Sequence, residues 1–120
     1  MINILITCYA LFNGIDSQLA FQIAKTESSM NPNAISNTGD GGLFQLNNKS
    51  HLFHNEKWRF IPAVNISLAL HNLSIFKKTC KHRLNNSYVL CYNMGKKGAS
   101  RIKYPYEQTY YKKMNILWRN

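Results

Sequence analysis

The sequence predicts a mainly α-helical single domain, residues 1–120, with one short β-like segment. Three observations carry that prediction. Apolar residues recur three and four apart along most of the chain, and clear alternation of apolar and polar residues is absent. Residues that start helices (Asp16, Pro62, Ser87, Pro105) and residues that stop them (Gly14, Gly95) stand at the borders of those stretches. At 120 residues the chain suits one compact core, and no repeat, linker or low-complexity tract marks a second.

The elements follow in order. MINILITCYALF supplies a first helix over residues 2–12, expected to be buried. It differs from the h-region of a signal peptide, because no Lys or Arg precedes the apolar run and no small-residue cleavage site follows it. It is also too short to span a bilayer, so neither an export signal nor a transmembrane segment is expected. Asn13 and Gly14 end it, and Asp16 caps a second helix with Leu19, Ala20, Ile23 and Ala24 on one face. Residues 30–42, rich in Asn, Ser and Gly, read as a loop, and 43–47 as a short extended piece. Pro62 suits the first position of a long helix striped by Ala63, Ile66, Leu70, Leu73 and Phe76. Asn85 and Asn86 break the chain, and Ser87 caps a short helix that Gly95 ends. Pro105 opens the last helix, with Tyr106, Tyr110, Met114 and Leu117 on one face.

Lys and Arg number 15 against five Asp and Glu, a net charge of +10. That favours an anionic partner: nucleic acid, a membrane surface, or a cell-wall polymer bearing carboxylates. No nucleic-acid-binding module is visible, which argues against the first. Lys77, Lys78, Lys81 and Arg83 form one basic cluster, which reads equally as a solvated face or as a polymer-facing one. Lys96, Lys97, Arg101 and Lys103 form a second, read as polymer-facing. Cys8, Cys80 and Cys91 have no metal-binding spacing and read as free, partly buried thiols, with a Cys80–Cys91 bridge open to a chain that reaches an oxidising compartment. Neither a metal nor a cofactor is expected.

Glu27 stands out among the few carboxylates. Leu19, Ile23 and Glu27 are spaced by four, so Glu27 extends the inward face of the second helix at its C-terminal end. Partial desolvation and the negative end of the helix dipole both disfavour the ionised carboxylate there. A carboxyl that keeps its proton near neutral pH suits general acid catalysis.

The residues around Glu27 form a recognisable series. Glu27 to Gln45 fits E-S-x-x-N-P-x-A-x-S-x-x-G-x-x-G-L-x-Q and resembles the catalytic motif of the lytic transglycosylase and goose-type lysozyme superfamily. NISLALHNL (Asn65 to Leu73), CYNMG (Cys91 to Gly95) and YPYEQTYYKKM (Tyr104 to Met114) resemble the long helix, the A-Y-N-x-G motif and the closing P-x-E-T-x-x-Y segment of that family, in the same order. The resemblance covers nearly the whole chain and implies a lysozyme-like fold lining a glycan cleft. It implies that Glu27 is the acid/base and that Ser36 lines the site beside it. By the same resemblance Gly39, Gly42 and Leu43 form the cleft floor, and Gln45 contacts the glycan. Tyr92 and Asn93 match the Tyr-Asn pair, whose Tyr hydroxyl approaches the carboxyl, and Glu107 matches a supporting Glu. Tyr92, Tyr104 and Phe44 are candidate aromatic faces for pyranose rings. The chain departs from the family pattern at Asp40-Gly41, at Phe44, at Leu90-Cys91 and at Gln108-Thr109.

Most glycosidases place two carboxylates across the scissile bond. Of the remaining four acids, Asp16 is a helix cap, Glu56 sits among basic residues, and Glu107 lies in a first helical turn. Asp40, in the motif loop, is the one serious second carboxylate. In LNNKSH, Leu46 to His51, Asn47 occupies the position that is acidic in goose-type lysozymes. The resemblance therefore implies a peptidoglycan lytic transglycosylase, in which Glu27 serves alone and the muramic 6-hydroxyl closes a 1,6-anhydro ring. A muramidase using Asp40 is the hydrolytic alternative, and a non-catalytic basic wall- or nucleic-acid-binding protein the non-enzymatic one. The expected partner is the glycan strand of peptidoglycan, met by a monomer at the cell wall, in the periplasm or associated with a virion. Phage lysis and a secretion system are the biological settings that fit.

Overall fold

The computed structural model describes residues 1–47 and 56–114, apart from the side chains of Glu56, Asn85 and Tyr106. Leu117 and the Asn48–His51 part of the lysozyme comparison lie outside the described residues. The fold is mainly helical: α1 (Ile2–Phe12), α2 (Ser17–Ser28), α3 (Pro62–Thr79), α4 (Val89–Ser100) and α5 (Thr109–Lys113), with three short 3₁₀ helices at Glu56–Phe60, Leu84–Asn86 and Pro105–Glu107. It divides into two compact units, Met1–Leu70 and His71–Asn120.

In the first unit, α1 ends as its sequence dictates. Gly14 takes φ +68, and the amides of Gly14 and Ile15 return to the carbonyls of Leu11 (3.2 Å) and Ala10 (2.8 Å). This is a Schellman closure, and its left-handed residue is a glycine because a side chain there would be strained. Two residues on, Asp16 Oδ1 accepts the Gln18 amide at 2.8 Å and caps α2. The short connection lays α1 against α2. Ile6 and Ala10 of α1, and Leu19, Ala20, Ile23 and Ala24 of α2, are fully buried. Each large apolar side chain among them stabilises the fold by roughly 1.5–3 kcal/mol. The expectation of a buried first helix holds for one face only: Ile4, Leu11 and Phe12 are exposed.

The β-like segment is smaller than expected. Residues 42–45 make a turn rather than an extended piece, and among the described residues the strand character reduces to two isolated bridges, Ile35 with Gly41 and Gly41 with Leu46. α3 opens at Pro62 as expected, and Ile66, Leu70 and Leu73 of its stripe are fully buried.

In the second unit, Cys80 and Cys91 form a disulfide, so two of the three expected thiols are bonded, and Cys8 is free and exposed. Gly95 breaks α4 with φ +78 and ψ 160, as its position predicts, but helical turns resume and run to Ser100. Ser87 does not cap α4 with its side chain; Tyr88 holds the cap position. The last helix is two short pieces, the Pro105–Glu107 3₁₀ turn and α5, because Gln108 takes an extended conformation between them. No described helix is long and apolar enough to cross a membrane.

Candidate functional site

Glu27 is the penultimate residue of α2 and half-buried, on the stripe whose inner members Leu19 and Ile23 are fully enclosed. The helix stops abruptly after it. Ser28 Oγ donates to the Ala24 carbonyl at 2.9 Å, and Ser29 and Met30 both take left-handed conformations, φ 53 and 64. Two consecutive non-glycine residues in that region cost on the order of 1–3 kcal/mol each, and such strain concentrates at functional sites.

The motif loop then folds on itself. Ser36 N donates to the Asp40 carbonyl at 2.9 Å and Asp40 N to Ser36 Oγ at 3.1 Å. Ser36 Oγ and Thr38 Oγ1 lie 3.0 Å apart, and Thr38 Oγ1 donates to Asp40 Oδ2 at 3.1 Å. Ser36 and Asp40 are therefore partly occupied in closing the loop. Gln45, at φ 53, turns its amide back: Nε2 donates to the carbonyls of Ala34 (3.1 Å) and Gly42 (2.9 Å). Both amide protons are thus satisfied within the loop, and Oε1 is the atom left for an outside donor.

Two residues that sequence reading passed over hold this loop. Asn65, 1 % exposed on α3, accepts the Phe44 amide at 2.8 Å and donates to the carbonyls of Gly41 (3.1 Å) and Arg59 (2.8 Å). Arg59, 3 % exposed, donates through one guanidinium nitrogen to the carbonyls of Gly39 (2.6 Å) and Leu46 (3.0 Å). Its Nε finds no acceptor among the described residues, and its guanidinium lies 5.3 Å from the centre of the Phe60 ring. The one signal in the sequence is a polar residue, Asn65, set directly beside the buried Ile66 on an otherwise apolar stripe. Leu43 is fully buried beneath the turn.

The aromatic assignments divide. Phe44 is 1 % exposed, so its ring packs in the core and presents no face to a sugar, which corrects that expectation. The Phe44 backbone N–H donates to Asn65 Oδ1 at 2.8 Å, which holds the turn that carries it against the core. Trp58, 56 % exposed in the 3₁₀ helix that also carries Arg59, is an aromatic face of the first unit that sequence reading missed. Asn47 is exposed.

The second unit carries the remaining candidates. Tyr92 is half-buried and Asn93 exposed on α4, immediately after the disulfide-bonded Cys91. Tyr104 is 45 % exposed with the Lys103 ammonium 5.4 Å from its ring centre, and Glu107 is exposed at the end of the third 3₁₀ turn. Charge separates along the same boundary. Residues 1–70 hold four basic and four acidic side chains, whereas residues 71–120 hold 11 basic and one acidic, so the whole net charge of +10 belongs to the second unit. The first basic cluster also supports the fold. Lys81 Nζ donates to the Ser100 carbonyl at 3.1 Å, and His82 Nε2 lies 3.0 Å from the Ala99 carbonyl, both at the negative end of α4.

A family model described as the transglycosylase SLT domain matches residues 5–115. Comparison with curated proteins and with solved structures gives no match.

Proposed function

Because the chain belongs to the transglycosylase SLT domain family, whose activity is lytic cleavage of peptidoglycan, we propose that it cuts the β-1,4 bond between N-acetylmuramic acid and N-acetylglucosamine with Glu27 as its single acid/base. The observation that carries this reading is the placement of Glu27: half-buried, at the C-terminal end of α2, with the strained Ser29 and Met30 following. The protonated carboxyl gives its proton to the glycosidic oxygen as the bond to the muramic C1 breaks. The substrate's own N-acetyl oxygen stabilises the positive charge that develops at C1. The Glu27 carboxylate then takes the proton of the muramic 6-hydroxyl, whose oxygen closes on C1 to form the 1,6-anhydro ring. No water is consumed and Glu27 ends protonated, ready to repeat the cycle. An intramolecular hydroxyl has a high effective concentration, so neither a protein nucleophile nor a second carboxylate is needed.

In this reading Ser36, Gln45 through Oε1, and Asn47 hydrogen-bond the sugar hydroxyl and acetamido groups, while Gly39, Gly42 and Leu43 shape the floor. Tyr92, Asn93, Tyr104 and Glu107 keep the roles that the family motifs imply. The enzyme acts as a monomer on glycan strands at the cell wall, in a phage-borne or secretion-associated setting. The test is Glu27→Gln, which keeps the shape and removes the transferable proton. Turnover of purified murein falls by about 10²–10⁴-fold or more, while circular dichroism and polymer binding stay as in the parent. A variant that still clears murein at a comparable rate overturns the assignment. Parent protein that binds murein without cleaving it makes the chain a wall-binding module.

A further inference from the structure

The second unit contains a cavity of about 250 Å³ that the glycosidic chemistry does not use, lined by Lys81, His82, Arg83, Ser87 and Tyr111, with Leu84 and Pro105 completing its apolar side. We propose that this cavity is a carboxylate-binding site and that its ligand is a free carboxylate of the peptide stems carried by the polymer. The identity of the ligand rests on the peptidoglycan reading above.

Four observations support it. First, the segment is held at its start and along its length. Cys80, which precedes it, is bonded to Cys91, and Lys81 and His82 are tied to the last carbonyls of α4. The walls are thus organised before a ligand arrives, which lowers the ordering cost of binding.

Second, the cations keep donors to spare. A carbonyl oxygen only accepts, so His82 Nε2 carries the proton in its 3.0 Å contact with Ala99. Lys81 spends one of its ammonium protons on Ser100, and Arg83 makes one long contact, 3.5 Å, to the Lys78 carbonyl. An ammonium has three donors and a guanidinium five. Both therefore keep unused N–H groups, and hydrogen bonds from such side chains to a carboxylate are among the stronger ones in proteins.

Third, no carboxylate side chain is among the described residues that line the cavity. Glu107 is the one acid in residues 71–120, and it does not line the cavity. Tyr111, 6 % exposed, stays a neutral phenol because burial raises its pKa above the usual value. It adds no negative charge.

Fourth, the size fits a chain end. About 10–15 Å³ of such volume holds one water, so the roughly 250 Å³ here admits a carboxylate and the atoms that bear it.

The experiment is an amide-shift titration of the full chain with a synthetic murein stem tripeptide. The same peptide with its carboxylates converted to amides, and inorganic phosphate, serve as controls. The tripeptide is expected to shift the amides of Lys81, Arg83, Ser87 and Tyr111 in a saturable way. Arg83→Gln is expected to weaken it about tenfold, the loss of one charge-assisted hydrogen bond, and the amidated peptide to bind at least tenfold more weakly. Arg83 is exposed and its own contact is long, so the variant keeps the fold, which its spectrum checks directly. Lys81→Gln provides a second, independent loss. Equal binding of the amidated peptide, shifts confined to other residues, or saturation by phosphate but not by peptide would each overturn the site. Cleavage is read separately, on murein and on glycan strands stripped of their peptides. Tripeptide binding without cleavage of either polymer keeps this site and removes the enzymatic reading. Cleavage with no tripeptide binding does the reverse.

Discussion

Asn65 stands in the space that a side chain on Gly42 would need: a Cβ at Gly42 would meet Asn65 Nδ2 and the Arg59 carbonyl. Gly42 also takes φ +83, a conformation in which other residues are strained. The glycine of the motif is therefore required twice, once for its backbone and once for the amide that fills its place. That amide in turn holds Phe44 and Gly41 through hydrogen bonds of 2.8 and 3.1 Å. The turn preceding Gln45 is built as a lock between a missing side chain and a buried one.

Disturbing either half of this lock should cost stability and then activity. Gly42→Ala adds a left-handed penalty of roughly 1–2 kcal/mol and an overpacking cost of roughly 1–3 kcal/mol. Asn65→Ala leaves the Phe44 amide and the carbonyls of Gly41 and Arg59 without that partner, at about 1–3 kcal/mol for a buried unsatisfied group. Urea unfolding should show Asn65→Ala destabilised by about 3 kcal/mol or more. A change below about 0.5 kcal/mol, the usual range for surface substitutions, would mean that Asn65 is not what holds the loop.

The helices were legible because their ends are local. Asp16 reaches two residues ahead to Gln18, and Gly14 closes α1 within five residues. The lock was not legible, since its bonds join residues up to 24 positions apart and connect a side chain to backbone. Residues 43–47 read as extended because they form a short, mostly apolar burst after a glycine-rich loop, and nothing in a glutamine announces φ 53. Phe44 is ambiguous for the same reason: an aromatic in such a burst suits a sugar platform or a core, and its burial places it in the core. Three cysteines do not fix a pairing; the fold does so by bringing Cys80 and Cys91 to a Cα separation of 6.1 Å.

The disulfide should matter to the second unit while the third cysteine does not. A cross-link spanning 11 positions stabilises by about 2–4 kcal/mol in the chain-entropy account. Reduction, or paired Cys80→Ala and Cys91→Ala substitution, should lower the melting temperature and weaken activity, because Tyr92 follows Cys91 directly. Cys8→Ser, at an exposed position, should leave both unchanged. Calorimetry of the three proteins with and without reductant checks this. Equal melting of reduced and oxidised parent would assign the bond no stabilising role.

Salt should weaken activity more than it weakens the fold. The whole net charge lies in residues 71–120, and Lys96 and Lys97 are exposed on α4. Exposed charges are screened beyond a Debye length of about 10 Å at 0.1 M salt. Initial rates on murein should therefore drop as salt rises, and replacing Lys96 and Lys97 by Gln should flatten that dependence. A rate that does not change with salt would give this charge some other purpose.

The product distinguishes the transglycosylase from a hydrolase, and Asp40 is the residue on which the choice turns. A hydrolase needs a second carboxylate that is free to activate water or stabilise the cation. Asp40 instead accepts from Thr38 Oγ1 at 3.1 Å and lies within the Ser36–Asp40 closure of the loop. An Asn at this position keeps an acceptor for Thr38, so Asp40→Asn should preserve the loop and retain much of the activity. Asn47 has no carboxyl to offer in its place. On the proposed reading, ring closure by the muramic 6-hydroxyl outpaces attack by water for the proximity reason given above. Muropeptides released by the parent and by Asp40→Asn should both end in 1,6-anhydro-N-acetylmuramic acid. They should resist borohydride reduction and be lighter by one water than hydrolytic products, which mass spectrometry reads directly. Reducible, hydrated ends from the parent, together with loss of activity in Asp40→Asn as severe as in Glu27→Gln, would make Asp40 the second catalytic carboxylate and the enzyme a muramidase.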